Sequence, residues 1–284
     1  MLLPRFFRIG ALALLGLGCA RPATAQQATP AAPLVIGQTF TLPSRVLGET
    51  RRINVYRPAG APDSAGAALP VLYMPDGGMA EDFLHVAGLV QVLVGNGTMR
   101  PFLLVGIENT ERRRDLTGPT TDPQDRKIAP RVSGSAAFRQ FLRQELMPEV
   151  QKRYRVTPEK AIIGESLAGL FVVETFLTEP DLFDTYLAFD PSLWWNKEHL
   201  LQMAPAVARQ YQGPPKTLYM AASSQPDIAR ETRELGVILQ KAANPRLSTT
   251  ALSLPNETHA TIYHPAALRG LRTVLAPAVG PVKK

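Results

Sequence analysis

Ala161-Ile162-Ile163-Gly164-Glu165-Ser166-Leu167-Ala168-Gly169-Leu170-Phe171 is the stretch that decides the fold. Ile162-Ile163 close a short apolar run of the kind that forms a buried strand, and residues 167–178 (LAGLFVVETFLT) read as an apolar helix. Ser166 falls at the junction. A serine between a strand and a helix, with small residues two positions before and after it, is the G-x-S-x-G layout of a nucleophile elbow, a tight turn that lifts the serine Oγ above the sheet. The small residues have a steric reason, because a strained turn brings the backbone close to its neighbours. Gly164 meets that demand, Ala168 stands where glycine is usual, and Gly169 follows directly. The pattern by itself is common in proteins. Its flanks make Ser166 the candidate nucleophile.

Outward from this point the chain alternates. Residues 38–42 and 52–56 alternate in character around a turn-rich GET segment and read as an antiparallel pair. Buried strands follow at 71–74, 102–107, 186–189, 217–222 and 248–254, with helices expected at 80–94, 135–153, 196–211, 226–243 and 262–276. Continuous apolar strands separated by helices imply a mostly parallel sheet covered on both faces. Two antiparallel strands, then alternation with the elbow after the fifth strand, is the order of an eight-stranded α/β-hydrolase fold. Residues 108–134 form the longest polar insert, expected to be either flexible or part of a binding site.

The 284 residues can bury one large core, and 45% apolar with 19% charged residues is an ordinary globular composition. Residues 1–25 read as a secretory signal peptide: Arg5 and Arg8, an apolar run at 9–18, then Ala23-Thr24-Ala25 as a cleavage site. That run is shorter than the roughly 20 apolar residues that span a membrane. Residues 26–36 are a Pro/Ala-rich lead-in expected to be disordered, leaving 37–280 as one catalytic-sized domain in the periplasm or outside the cell. The net charge of +7 includes three arginines of this leader, so the remainder carries +4, too little to point to nucleic acid. Cys19, the only cysteine, lies inside the leader; a lipid-modified N-terminus there is the rival reading, with Gly16 a poor match to a lipobox. The oligomeric state stays open.

A serine hydroxyl needs a base, and the base an orienting acid. His259, in the polar turn Asn256-Glu257-Thr258-His259-Ala260 after the last strand, is the candidate base ahead of His264 and His199. Asp227, after the seventh strand, is the first candidate acid; Asp190, at the end of the sixth, and Glu231 are the alternatives. The oxyanion donors are expected to be the N–H of Leu167 and, from the loop Asp76-Gly77-Gly78, that of Gly77. No cluster of His, Asp and Glu has metal-ligand spacing, so neither metal nor cofactor is expected.

Several stretches together resemble the Putative esterase family, which includes enterochelin esterases, S-formylglutathione hydrolases and feruloyl esterases. They are residues 44–53 (SRVLGETRRI), Val71-Leu72-Tyr73-Met74-Pro75-Asp76-Gly77, Val105-Gly106-Ile107-Glu108-Asn109, the elbow, and Pro191-Ser192-Leu193-Trp194-Trp195, the last closest to the bacterial siderophore-esterase-like branch. The resemblance implies a metal-independent serine hydrolase working through Ser166 and His259 on a small-molecule ester. It also implies an aromatic acyl pocket lined by Trp194 or Trp195, whose alternative is core packing. Arg112, Arg113 and Arg114 could meet anionic substrate groups or simply be solvated. Departures are Glu165 where histidine is common, Ala168 for glycine and Asp190 for serine. An exported ester hydrolase, an acyltransferase using the same acyl-enzyme, and a non-catalytic binding protein on this fold are the readings that remain open.

Overall fold

In the computed structural model, which describes residues 31–59 and 67–277, eight strands make one sheet in the order β1-β2-β4-β3-β5-β6-β7-β8. The strands are β1 (Gln38–Ser44), β2 (Glu49–Tyr56), β3 (Leu69–Pro75), β4 (Leu103–Ile107), β5 (Val156–Glu165), β6 (Thr185–Phe189), β7 (Lys216–Ala222) and β8 (Leu247–Ser253). Pairings β1–β2 and β2–β4 are antiparallel and all others parallel, which is the α/β-hydrolase arrangement. The chain divides into two units, Met1–Val35 and Ile36–Lys284. In the first, residues 31–35 carry no helix or strand; the second holds every described element. The expected signal peptide and Cys19 lie outside the described residues.

Why the central strands are apolar throughout is visible in β3. Val71 and Tyr73 point into one core cluster, Leu72 and Met74 into the other, so alternation leaves no polar face. Helices α1 (Phe83–Gly95) and α9 (Tyr263–Val274) cover one side. The other side is covered chiefly by α6 (Leu167–Thr178), α7 (Trp195–Gln210) and α8 (Pro226–Lys241). The expected helix over 135–153 is three pieces: α4 (Ser135–Phe141), a π-helical turn at Leu142–Leu146, and α5 (Met147–Arg153). Pro148, which has no N–H for the usual i−4 bond, lies two residues past the widened turn.

The polar insert is structured. It contains α2 (Arg112–Asp115) and α3 (Pro123–Ile128), the latter capped by Asp122, whose side chain accepts the Gln124 N–H at 2.8 Å. Asp115 forms an ion pair with Arg51 of β2; both side chains are buried, and Glu49 also pairs with Arg51. This ties the insert to the sheet. Three consecutive residues after Trp195 (Asn196, Lys197 and Glu198) have φ of 48°, 54° and 60°, so regular helix starts later in α7 than the sequence suggests.

At the elbow, a Cβ on Gly164 would sit 2.7 Å from both the carbonyl carbon and the Cβ of Ala168. Ala168 is tolerated in a glycine position because its partner across the turn has no side chain. Gly164→Ala is therefore expected to destabilise the protein by about 1–3 kcal/mol through overpacking, with Ala168→Gly restoring part of the loss; chemical denaturation of the single and double variants measures it.

Candidate active site

Three neighbouring strands end on non-glycine residues with left-handed φ: Asp76 after β3 (57°), Ser166 after β5 (61°) and Asp190 after β6 (42°). Each turn throws a functional side chain out of the sheet at its carboxyl edge. Ser166 is held from behind: its N–H donates to the Phe189 carbonyl at 3.0 Å, and its carbonyl accepts from Leu170 at 2.9 Å and Ser192 at 3.2 Å.

His259 is presented by a tight turn in which the Thr261 and Ile262 N–H groups both reach the Thr258 carbonyl at 3.0 Å. The end of β7 grips the same loop, since the Ser224 N–H and Oγ donate to the Glu257 carbonyl at 2.9 and 2.8 Å. His259 Nε2 lies 3.0 Å from Ser166 Oγ, and Nδ1 lies 2.9 Å from Asp190 Oδ2. With Nδ1 carrying the proton, Nε2 is free to accept from the serine. That tautomer is the one general-base activation of a serine requires. His264 is elsewhere, 3.1 Å from His85 Nε2 through its Nδ1.

The carboxylate on His259 is therefore Asp190, and the preference for Asp227 is corrected. Asp227 is an exposed residue in the first turn of α8, while Glu231 is buried against Arg230. Asp190 is fully buried and doubly held from the next strand: Ser223 donates its N–H to Oδ1 at 2.5 Å and its Oγ to Oδ2 at 2.7 Å. Sequence reasoning missed Ser223. No local signal marks it, because its link to Asp190 depends on β6 and β7 lying side by side.

Asp190, through its hydrogen bond to Nδ1, is the main cause that raises the His259 pKa, opposed by burial and assisted by Glu165. Glu165 Oε1 is 3.5 Å from the same Nδ1, and burial pushes its carboxyl up to about 7. The donor atoms of Glu165, Asp190 and His259 lie within 4.8 Å of one another, a spacing a metal ion could use. Here they serve one another, with both Asp190 oxygens already accepting hydrogen bonds.

The remaining expected residues fare unequally. Leu167 follows Ser166 at the start of α6, and no acceptor among the described residues takes its N–H. The N–H of Gly77 is not free: it donates to the Ile107 carbonyl at 2.9 Å. Gly77 is glycine because a Cβ there would lie 2.3 Å from Gly106 Cα, which corrects its assignment as an oxyanion donor. The next N–H, on Gly78, donates to Glu81 Oε2 at 2.7 Å. Arg112 grips Asp76 with two bonds, Nε–Oδ1 at 2.7 Å and Nη2–Oδ2 at 2.8 Å, while Arg114 pairs with Glu49 and Asp115. The three arginines thus do not form one anion-binding cluster. Trp195 is buried and donates its indole N–H to the Gly118 carbonyl at 3.1 Å, a packing role, whereas Trp194 is half-exposed beside it.

The sequence profile of the Putative esterase family matches residues 44–247. The chain belongs to that family. It is 28% identical over 276 residues to the ferri-bacillibactin esterase BesA of Bacillus subtilis (strain 168), spanning 84% of this chain and 92% of that protein. Among solved structures it resembles an IroE-like serine hydrolase from Shewanella oneidensis, with a TM-score of 0.76 and 30% identity over 84% of this chain and 80% of that one. The BES protein from Bacillus cereus shares the fold at a TM-score of 0.75 and 22% identity, covering 87% of this chain and 98% of that one. This family member is a serine-type carboxylic ester hydrolase.

Two outcomes follow from the geometry. Asp190→Asn should lower kcat by about two to four orders of magnitude with KM little changed, and Asp227→Asn should stay within about twofold of wild type in the same steady-state assay. Because turnover needs neutral His259 and its pKa is raised, kcat/KM should fall on acidification through a midpoint above the ordinary imidazole value of about 6.5, measured as a pH profile.

Proposed function

We propose that this esterase is an exported enzyme that cleaves siderophore or aromatic-acid esters through an acyl-serine intermediate. The observation that carries the mechanism is the unbroken relay Ser166 Oγ–His259 Nε2 and His259 Nδ1–Asp190 Oδ2 at 3.0 and 2.9 Å. In this reading Ser166 Oγ bonds to the ester carbonyl carbon as its proton passes to His259 Nε2. The tetrahedral centre then collapses, and the alkoxide leaves with that proton. Water, deprotonated by His259, attacks the acyl-serine and returns the acid and free Ser166. Asp190, buried and hydrogen-bonded to Nδ1, stabilises the imidazolium through both half-reactions.

The substrate class is supported by the relatives, since BesA is named for ferri-bacillibactin and a 32% identical relative from Aspergillus fumigatus for triacetylfusarinine C. That second match covers 49% of each chain. Export is supported by the leader of residues 1–25 alone. Among the described residues no helix is long and apolar enough to cross a membrane.

A fluorophosphonate probe is expected to label Ser166, and Ser166→Ala to lose both labelling and hydrolysis. Assayed against nitrophenyl, feruloyl and catecholate-siderophore esters, the wild type should turn over the siderophore esters with the highest kcat/KM. Undiminished hydrolysis by Ser166→Ala would remove the mechanism; preference for simple nitrophenyl esters would remove the substrate class.

A further inference from the structure

We propose that Glu165 is a second carboxylate on His259, a positioning residue that shares with Asp190 the charge of the imidazolium formed during turnover. This rests on reading Ser166, His259 and Asp190 as the working triad. Glu165 directly precedes the nucleophile, so the elbow that fixes Ser166 also fixes where its side chain starts. Its carboxylate is largely buried, 16% exposed, and its Oε1 lies 3.5 Å from His259 Nδ1, against 2.9 Å for Asp190 Oδ2. Among the described residues His259 is its only ion-pair partner, and no hydrogen bond reaches its oxygens. At 3.5 Å the contact acts by charge more than as a hydrogen bond.

The surroundings decide the sign. Facing Glu165 are His259 from the loop before α9, Arg112 from the insert, Asp190 from the end of β6, Asp82 from the loop after β3, and the half-buried Tyr263 of α9. Facing His259 are Asp190, Glu165 and Arg112. Arg112, the one permanent cation in the group, is already bound twice by Asp76. The imidazole is thus the cation left for Glu165 to neutralise. A negative charge there favours imidazolium, which makes His259 a stronger base but keeps it protonated to higher pH.

The consequence is a pH signature that simple damage to the site would not give. With burial pushing its carboxyl up to about 7, Glu165 is charged on the alkaline side and neutral in acid, so glutamine copies its acid state and removes only the alkaline charge. With a Brønsted dependence of about one half, the weaker base reacts about threefold more slowly once fully neutral. Glu165→Gln should therefore match wild type on the acid side and react about threefold slower on the alkaline plateau. Glu165→Asp, which keeps a charge but retracts it, should fall between.

The test is the rate of Ser166 labelling by a fluorophosphonate between pH 5 and 9 in the full chain, which needs no knowledge of the substrate. Glu165→Ala serves as a second neutral variant, and circular dichroism checks that each variant is folded. An acid limb moved to lower pH, with rate curves that coincide in acid and separate above about pH 7, is the expected result. Uniformly slower labelling with an unmoved limb would overturn the role of Glu165 and leave the triad intact. Failure of wild type to label at Ser166 would overturn the triad reading, and this role with it.

Discussion

Everything in the site depends on three strand ends that turn where side chains normally forbid it. Asp76, Ser166 and Asp190 each hold a left-handed backbone, a conformation costing roughly 1–3 kcal/mol per residue. The cost is met by hydrogen bonds from the neighbouring elements. Ser166 is braced on Phe189 of β6, Asp190 donates its N–H to Ala221 of β7 at 2.8 Å, and the Asp76 carbonyl accepts from Asp82 at 3.0 Å. For Ser166 and Asp190, each bent strand end is held by the next strand in the sheet. The order β5-β6-β7 therefore fixes the distance between nucleophile and acid before any side chain chooses a rotamer.

Electrostatically the site gathers carboxylates around two basic side chains. Asp190 and Glu165 flank His259, and Asp76 holds Arg112. A buried charge is tolerated when it is paired and hydrogen-bonded, and Asp190 meets that condition through Ser223 as well as His259. Glu165 does not meet it, and burial pushes its carboxyl up to about 7. The two acids differ because one sits in a prepared socket while the other only adjoins the imidazole.

The insert between β4 and α4 gives this arrangement its stiffness. Arg112 and Asn109 hold Asp76 from the insert side, and Asn54 Nδ2 donates to the Gly77 carbonyl at 2.8 Å from β2. The buried Arg51–Asp115 pair anchors the same segment below. On the far side, the Asn196 N–H donates to Asp125 at 2.8 Å, so the insert also holds the turn that follows Trp194 and Trp195. Removing one partner of a buried pair such as Arg51–Asp115 leaves an uncompensated charge. The segment is therefore tied into the scaffold at several points.

By itself the sequence determined the order of elements, the elbow at Ser166 and the histidine after the last strand. These are local matters: a two-residue alternation or an unbroken apolar run, a glycine where the backbone closes on itself, a polar turn. The choice of acid was not local. Asp190, Asp227 and Glu231 each follow a strand of the right kind, and only the socket made by Ser223 across two adjacent strands distinguishes Asp190. Gly77 misled for a related reason, since a glycine that frees its N–H and one that admits a neighbouring backbone look alike in sequence. Nor could the pairing of the arginine run be read locally, because its partners, Asp76, Glu49 and Asp115, include residues distant in the chain. Only the tertiary structure decided these, because charge pairing and backbone approach depend on which strands lie side by side.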